Sequence, residues 1–159
     1  MLTPRALIAL AGAGSLALLL GAFAFQHLGG MAPCKLCLWQ RWPHAAAVAL
    51  AGLALVWPRP WLAGLGALAA LSTGGLGFYH AGVEQGWWPG PSSCSGAGAV
   101  GGLTPEELMA QIMAAPLVRC DEIPWEMLGL SMAAWNGVAA LGFAALWLLA
   151  ARGLRARAG

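Results

Sequence analysis

Apolar residues occur along this chain in long, nearly unbroken runs rather than in short alternating or amphipathic stretches. Residues 6–25 carry no charge over 20 positions and residues 61–79 none over 19. Each run matches the roughly 20 helical residues that cross a 30 Å hydrocarbon core. Residues 132–151 form a third run, interrupted by Asn136 and followed by Arg152. The remaining run, 45–57, has only 13 residues and reaches about 20 Å at 1.5 Å per residue, so a helix that spans there must borrow residues from before His44. The pattern predicts an all-α membrane protein, a four-transmembrane-helix bundle forming one domain over residues 1–159. Its spans are expected at about 6–25, 38–57, 61–79 and 132–151, with outer loops at about 26–37 and 80–131.

Composition agrees. The chain is 60% hydrophobic and 9% charged, far from the roughly 25% charge of soluble domains. Its mean hydropathy is +0.72. A net charge of +2 without a basic, aromatic-interleaved run argues against nucleic acid as a partner. Arg5 before the first run also fits a secretory signal, but that run exceeds the usual signal core of roughly 7–15 residues and three spans follow, so an uncleaved helix is expected. Five basic residues (Arg5, Arg59, Arg152, Arg155, Arg157) then share one side and three (Lys35, Arg41, Arg119) the other. The positive-inside bias puts both termini in the cytoplasm. Trp39, Trp42, Trp57, Trp61, Trp87, Trp88 and Trp147 fall near proposed helix ends, as an interfacial belt does. Gly64, Gly74, Gly75 and Gly77, among many alanines, are expected to let helices approach closely.

The second loop contains all six acidic residues and is glycine-rich around Cys94, which predicts a flexible strand there. Thr104, Pro105 and Glu107 form a capping-box start, followed by apolar Leu108, Met109, Ile112 and Met113 and stopped before Pro116. This reads as a short amphipathic helix, lying on the membrane surface or on the bundle ends.

With this topology all four cysteines lie outside the reducing cytosol, where disulfides persist. A static bridge suits Cys94 and Cys120, whose closure encloses 25 residues and restrains the loop by ~3 kcal/mol in the entropic account. It suits Cys34 and Cys37 poorly, because a bridge over two residues restrains little and C-x-x-C pairs commonly have altered thiol acidity. Zinc fits less well, since four-cysteine sites usually present two close pairs. A redox role is therefore favoured over structural disulfides, and no metal is expected. Cys37 in the first turn of a helix gains from unpaired N–H groups and the helix dipole, and Arg41 lies four residues on, on the same face. Pro43 predicts either a kink or a helix start. No dinucleotide fingerprint, haem motif or flavin site is present, so a lipid-soluble quinone is the expected electron acceptor. His27, His44 and His80 sit at proposed helix ends. His80, on the same outer side as Arg41, is the best candidate to meet the same ligand.

At these residues the chain resembles a known family. "CKLCLWQR" is similar to the C-x-L-C-x-x-[EQ]-R motif of the disulfide-bond formation protein B (DsbB) family, and "FYHAGVEQGWWPGPSSC" and "CDEIPWEMLGLSMAAWN" resemble that family's segments around its loop cysteines. The resemblance implies an enzyme of the bacterial inner membrane, a quinone-dependent thiol oxidase that reoxidises a periplasmic DsbA-like thioredoxin-fold dithiol oxidase, with ubiquinone or menaquinone as acceptor. It implies that Cys34 and Cys37 are the quinone-coupled pair, that Cys94 and Cys120 are the shuttle pair, and that Arg41 and, less directly, His80 bind the quinone. The competing reading is a non-catalytic tetraspan scaffold with inert disulfides. Related vitamin K epoxide reductase-like proteins place the C-x-x-C after the loop pair, whereas here it comes first.

Overall fold

The computed structural model describes residues 2–91, 94, 104–114 and 118–157. Four long helices pack together: α1 (Pro4–His27), α2 (Lys35–Val56), α3 (Pro60–Glu84) and α5 (Met132–Arg155), with a short α4 (Pro105–Ala114) in the second loop. Helix starts are locally encoded. The Thr3 hydroxyl accepts the Ala6 N–H ahead of Pro4, and the Ser131 hydroxyl accepts the Ala134 N–H, each at 3.2 Å, so both occupy a donor that the helix leaves unpaired. The helix α2 runs through Pro43 instead of starting there. Before α5, strands β1 (Glu126–Met127) and β2 (Leu130–Ser131) pair antiparallel, Glu126 with Ser131 and Met127 with Leu130. This small hairpin was not foreseen. Leu128 and Gly129 turn it, both at positive φ, as a two-residue hairpin turn with right-handed strand twist requires.

The core is built from small residues. Ile8, Ala11, Ala51, Ala54, Ala63, Ala67, Ala144 and Ala150 surround a fully buried Trp147, while Leu10, Leu20, Leu68, Leu141 and Leu149 face outward. Small residues inside and large ones outside is the arrangement of helices that associate in lipid, where leucine gains nothing by leaving the surroundings. By length and hydropathy α1, α3 and α5 can each cross a membrane. The helix α2, with Lys35, Gln40, Arg41 and His44 in its first three turns, is less apolar.

Two expectations need correction. Trp147 is not interfacial but lies in the core, its ring stacked where Gly66 has no side chain. Gly74 and Gly77 do meet α5, and a β-carbon on the latter would lie 2.9 Å from the Ala133 carbonyl oxygen and the Gly137 nitrogen, but Gly64 and Gly75 face open space. In a helix apolar on every side, hydropathy does not reveal which face is inward. The capping box is present: Thr104 N–H donates to Glu107 Oε2 at 2.8 Å, and Glu107 N–H to Thr104 Oγ1 at 3.3 Å. These bonds hold the Glu107 carboxyl below its ordinary acidity range. Leu108, Met109 and Met113 are exposed. The expected flexible strand between Cys94 and Thr104, the Ile112 side chain and the stop at Pro116 lie outside the described residues.

Candidate active site

The motif residues meet where α2 begins. Cys34 is the N-cap of α2, its sulfur accepting the Cys37 N–H at 3.2 Å, and the two sulfurs are 3.1 Å apart. Both are free thiols, Cys34 buried and Cys37 half-buried. Cys37 thus sits in the first turn as expected, but Cys34 as the capping residue was not foreseen; cysteine is not a usual N-cap, so sequence carried no signal for it. Its donation to Cys37 and its burial push the Cys34 thiol far up from the ordinary range. The second pair is joined: Cys94 and Cys120 form a disulfide with α-carbons 5.3 Å apart, and Cys120 N–H donates to the Cys94 carbonyl at 2.9 Å. Cys34, Cys94 and Cys120 share one buried cluster with Leu36 and Val83. All four cysteines therefore converge, although 86 residues separate the first from the last.

Arg41 lies on the α1 side. Its guanidinium donates to Gln26 Oε1 at 2.6 Å and to the Ala22 carbonyl at 3.4 Å, and it lies over the Phe23 ring at 4.8 Å. Cys37, Arg41 and His80 all line a cavity of about 520 Å³ whose apolar wall includes Leu18, Ala22 and Phe25 of α1. His80 is one turn inside the end of α3, since the helix continues to Glu84. Its Nε2 is 3.5 Å from Cys34 Sγ and 3.8 Å from Glu84 Oε1, and the ring also hydrogen-bonds the Cys120 backbone. The two thiol sulfurs and a nitrogen of this ring lie within 4.8 Å of one another.

Sequence reasoning did not single out Glu84, Gln40 or Asn136 as site residues. Glu84 is buried, its side chain only 2% exposed. Gln40 and His44 follow Leu36 at four-residue steps on the buried stripe of α2 that continues through Ala47, Ala51 and Ala54. A polar side chain in phase with a buried stripe signals a satisfied internal network, and that signal was available. Outside the bundle, Arg119 pairs with Asp121 at 2.6 Å and holds its carboxyl below the usual range.

Comparison with known proteins agrees with this arrangement. The family model for disulfide bond formation protein DsbB matches residues 4–150. The chain belongs to the DsbB family. Among similar curated proteins, disulfide bond formation protein B of Verminephrobacter eiseniae is 36% identical, covering 98% of this chain and 93% of that one. The protein of the same name from Polaromonas naphthalenivorans is 30% identical over 92% of each chain. Disulfide bond formation protein B 2 of Pseudomonas aeruginosa PAO1 is 31% identical over 77% of this chain and 76% of its own. No solved structure matches the chain significantly. Membership in the DsbB family and the apolar helices make this a membrane protein of disulfide-bond formation.

Proposed function

We propose that the chain is a quinone-dependent thiol oxidase of the bacterial inner membrane that reoxidises a periplasmic DsbA-like dithiol oxidase. The observation that carries this reading is the placement of two cysteine pairs in contact, one of them opening onto a cavity beside Arg41. In this reading α2 is the fourth span, both termini are cytoplasmic and all cysteines are periplasmic. At 22 residues α2 is about 33 Å long, enough to cross with its polar first turns at the outer boundary.

A partner thiolate attacks the Cys94–Cys120 disulfide at Cys94, and a second exchange releases the oxidised partner and leaves two loop thiols. A loop thiolate then opens the Cys34–Cys37 disulfide, and its neighbour closes the loop bridge again, so Cys34 and Cys37 hold the electron pair and two protons. The cavity fits a quinone: it is apolar along α1, polar at Cys37 and Arg41, and within the usual range of small-ligand sites. A bound quinone accepts two electrons and two protons. Arg41 supplies a fixed cation and planar donors for an anionic ring oxygen, Cys37 is the less buried of the two cysteines that line the cavity, and His80 and Glu84 are polar groups on its wall.

The test is purified protein in detergent with reduced DsbA-like partner and a short-chain quinone, following quinone absorbance. Stoichiometric loss of oxidised quinone is expected. Partner oxidation with no quinone consumed overturns quinone as the acceptor, and no turnover at all overturns the reading in favour of an inert scaffold.

A further inference from the structure

Behind Cys34 lies a chain of side-chain hydrogen bonds that runs through three helices. His44 Nε2 is 2.7 Å from Asn136 Oδ1, Asn136 Nδ2 is 2.8 Å from Gln40 Oε1, Gln40 Nε2 is 3.0 Å from His80 Nδ1, and His80 Nε2 faces Cys34 Sγ. Two backbone carbonyls settle which way the amides point. Gln40 Nε2 also faces the Leu36 carbonyl at 3.2 Å, and Asn136 Nδ2 faces the Thr73 carbonyl at 3.4 Å. A carbonyl only accepts, so both contacts must come from NH₂ groups. Gln40 therefore donates to His80 Nδ1, and the neutral ring must carry its proton on Nε2.

We propose that Gln40, held by Asn136 and His44, is a positioning residue that locks His80 in the Nε2–H tautomer, so that this N–H faces the Cys34 sulfur and the adjoining Cys120 backbone. This rests on the thiol-exchange reading above and deepens it. In each exchange one S–S bond breaks as another forms, and the departing sulfur keeps the bond pair. The Cys34 sulfur faces the backbone N–H groups of Cys37 and Leu36 and, as its side-chain N–H neighbour, the His80 ring. A locked His80 thus stabilises charge on a buried sulfur whenever Cys34 attacks or leaves.

The same wiring has a second consequence. Cys34, Cys37 and His80 are spaced as soft-metal ligands, but a ligating histidine needs a bare nitrogen toward the metal and donates its other N–H to an acceptor. Here the other nitrogen faces a donor. The lock therefore withholds the third ligand and protects the dithiol from thiophilic metal ions.

Two measurements test this on the full-length reduced protein in detergent. Nitrogen-15 spectra of labelled histidine, with His80 assigned by its loss in His80→Ala, should show the neutral Nε2–H form. Gln40→Glu places an acceptor against Nδ1 and should switch His80 to Nδ1–H. In an anaerobic zinc titration against a chelating dye, His80→Ala should change wild-type affinity less than about twofold, while Gln40→Glu should gain about tenfold, a gain that Gln40→Glu/His80→Ala loses. An Nδ1–H ring in the wild type, an unchanged tautomer in folded Gln40→Glu, or a wild-type zinc affinity that falls tenfold without His80 overturns the proposal. The wild-type spectra and the His80→Ala titration decide it even if Gln40→Glu does not fold. Quinone takes no part in them, so a failed quinone assay overturns the proposed function and leaves this wiring standing.

Discussion

The two ends of the bundle are held together by different physics. At the end where α5 finishes, alanines and glycines bring helices close around Trp147, whose buried indole N–H has no hydrogen-bond partner among the described residues, so the packing there follows shape. At the cysteine end, the buried stripes of α2 and α3 exchange alanine for Gln40, His44, Thr73 and His80, whose polar atoms, His44 Nδ1 excepted, pair with one another, with Asn136 or with nearby backbone and cysteine atoms. Dispersion contacts tolerate small shifts, whereas a buried unpaired donor costs roughly 1–3 kcal/mol, so polar positions define one arrangement more sharply than apolar ones. The end that carries the proposed site is the one whose geometry is specified by hydrogen bonds.

The largest effects should come from breaking the chemistry at the polar end without touching the packing at the other. In Cys37→Ser, the loop disulfide should oxidise about one equivalent of partner and then stall, because exchange cannot be renewed. In the Cys94→Ser/Cys120→Ser double variant, Cys34 and Cys37 should still be oxidised by quinone while partner stays reduced. Thiol trapping and gel shift read both outcomes. Multiple turnovers by the first variant, or normal partner oxidation by the second, would refute the order of transfer.

At the packed end the cost should appear as stability. A side chain at Gly66 would place its β-carbon 2.5 Å from the Trp147 ring, which is fully buried and cannot swing away. Gly66→Ala should therefore destabilise the bundle by roughly 1–3 kcal/mol, as overpacking does. Gly64→Ala, with nothing within 4 Å, should be neutral or slightly stabilising. Thermal unfolding in detergent separates the two; equal melting temperatures would show that α3 and α5 are looser than described.

This contrast also explains what could be read from sequence. The three apolar spans and the Thr104–Glu107 capping box were legible, because length, hydropathy and an i, i+3 spacing are local properties. The Cys34–Cys37 motif and its Arg41 were legible for the same reason. Which glycines face a neighbour was not, because α3 is apolar on every side and its phase is set by α5. The junction of His80 with Cys34, 46 residues away, and of Asn136 with Gln40, 96 residues away, depends on how helices dock, which no local pattern encodes. Glu84 looked like the first of the loop acids, yet it is the last residue of α3 and is buried against the site.

A smaller effect is expected at Arg41, which belongs to the polar end but reaches α1. Arg41→Lys keeps the cation and loses the planar fork that spans Gln26 and the Ala22 carbonyl. Apparent quinone affinity should fall about tenfold, ~1.4 kcal/mol, while exchange between the two cysteine pairs continues. Steady-state kinetics with varied quinone check the first and stopped-flow thiol exchange the second. An unchanged quinone affinity would remove Arg41 from the site.

The smallest effect should come from outside both ends. Asp121 follows Cys120 directly, and Arg119 holds its carboxyl below the usual range. A carboxylate with a depressed folded-state pKa adds stability that is fully present above its unfolded value of about 3.9 and is lost as pH falls through the folded value. Asp121 is half-buried and its partner Arg119 exposed, so solvent screens the pair, and Asp121→Asn should cost less than about 0.5 kcal/mol at pH 7. The difference should shrink further in high salt and vanish at low pH. Melting curves of both proteins at pH 7 and near pH 3 make the comparison. A large loss at pH 7 that persists in acid would mean that Asp121 braces the Cys120 segment by some contact other than its charge.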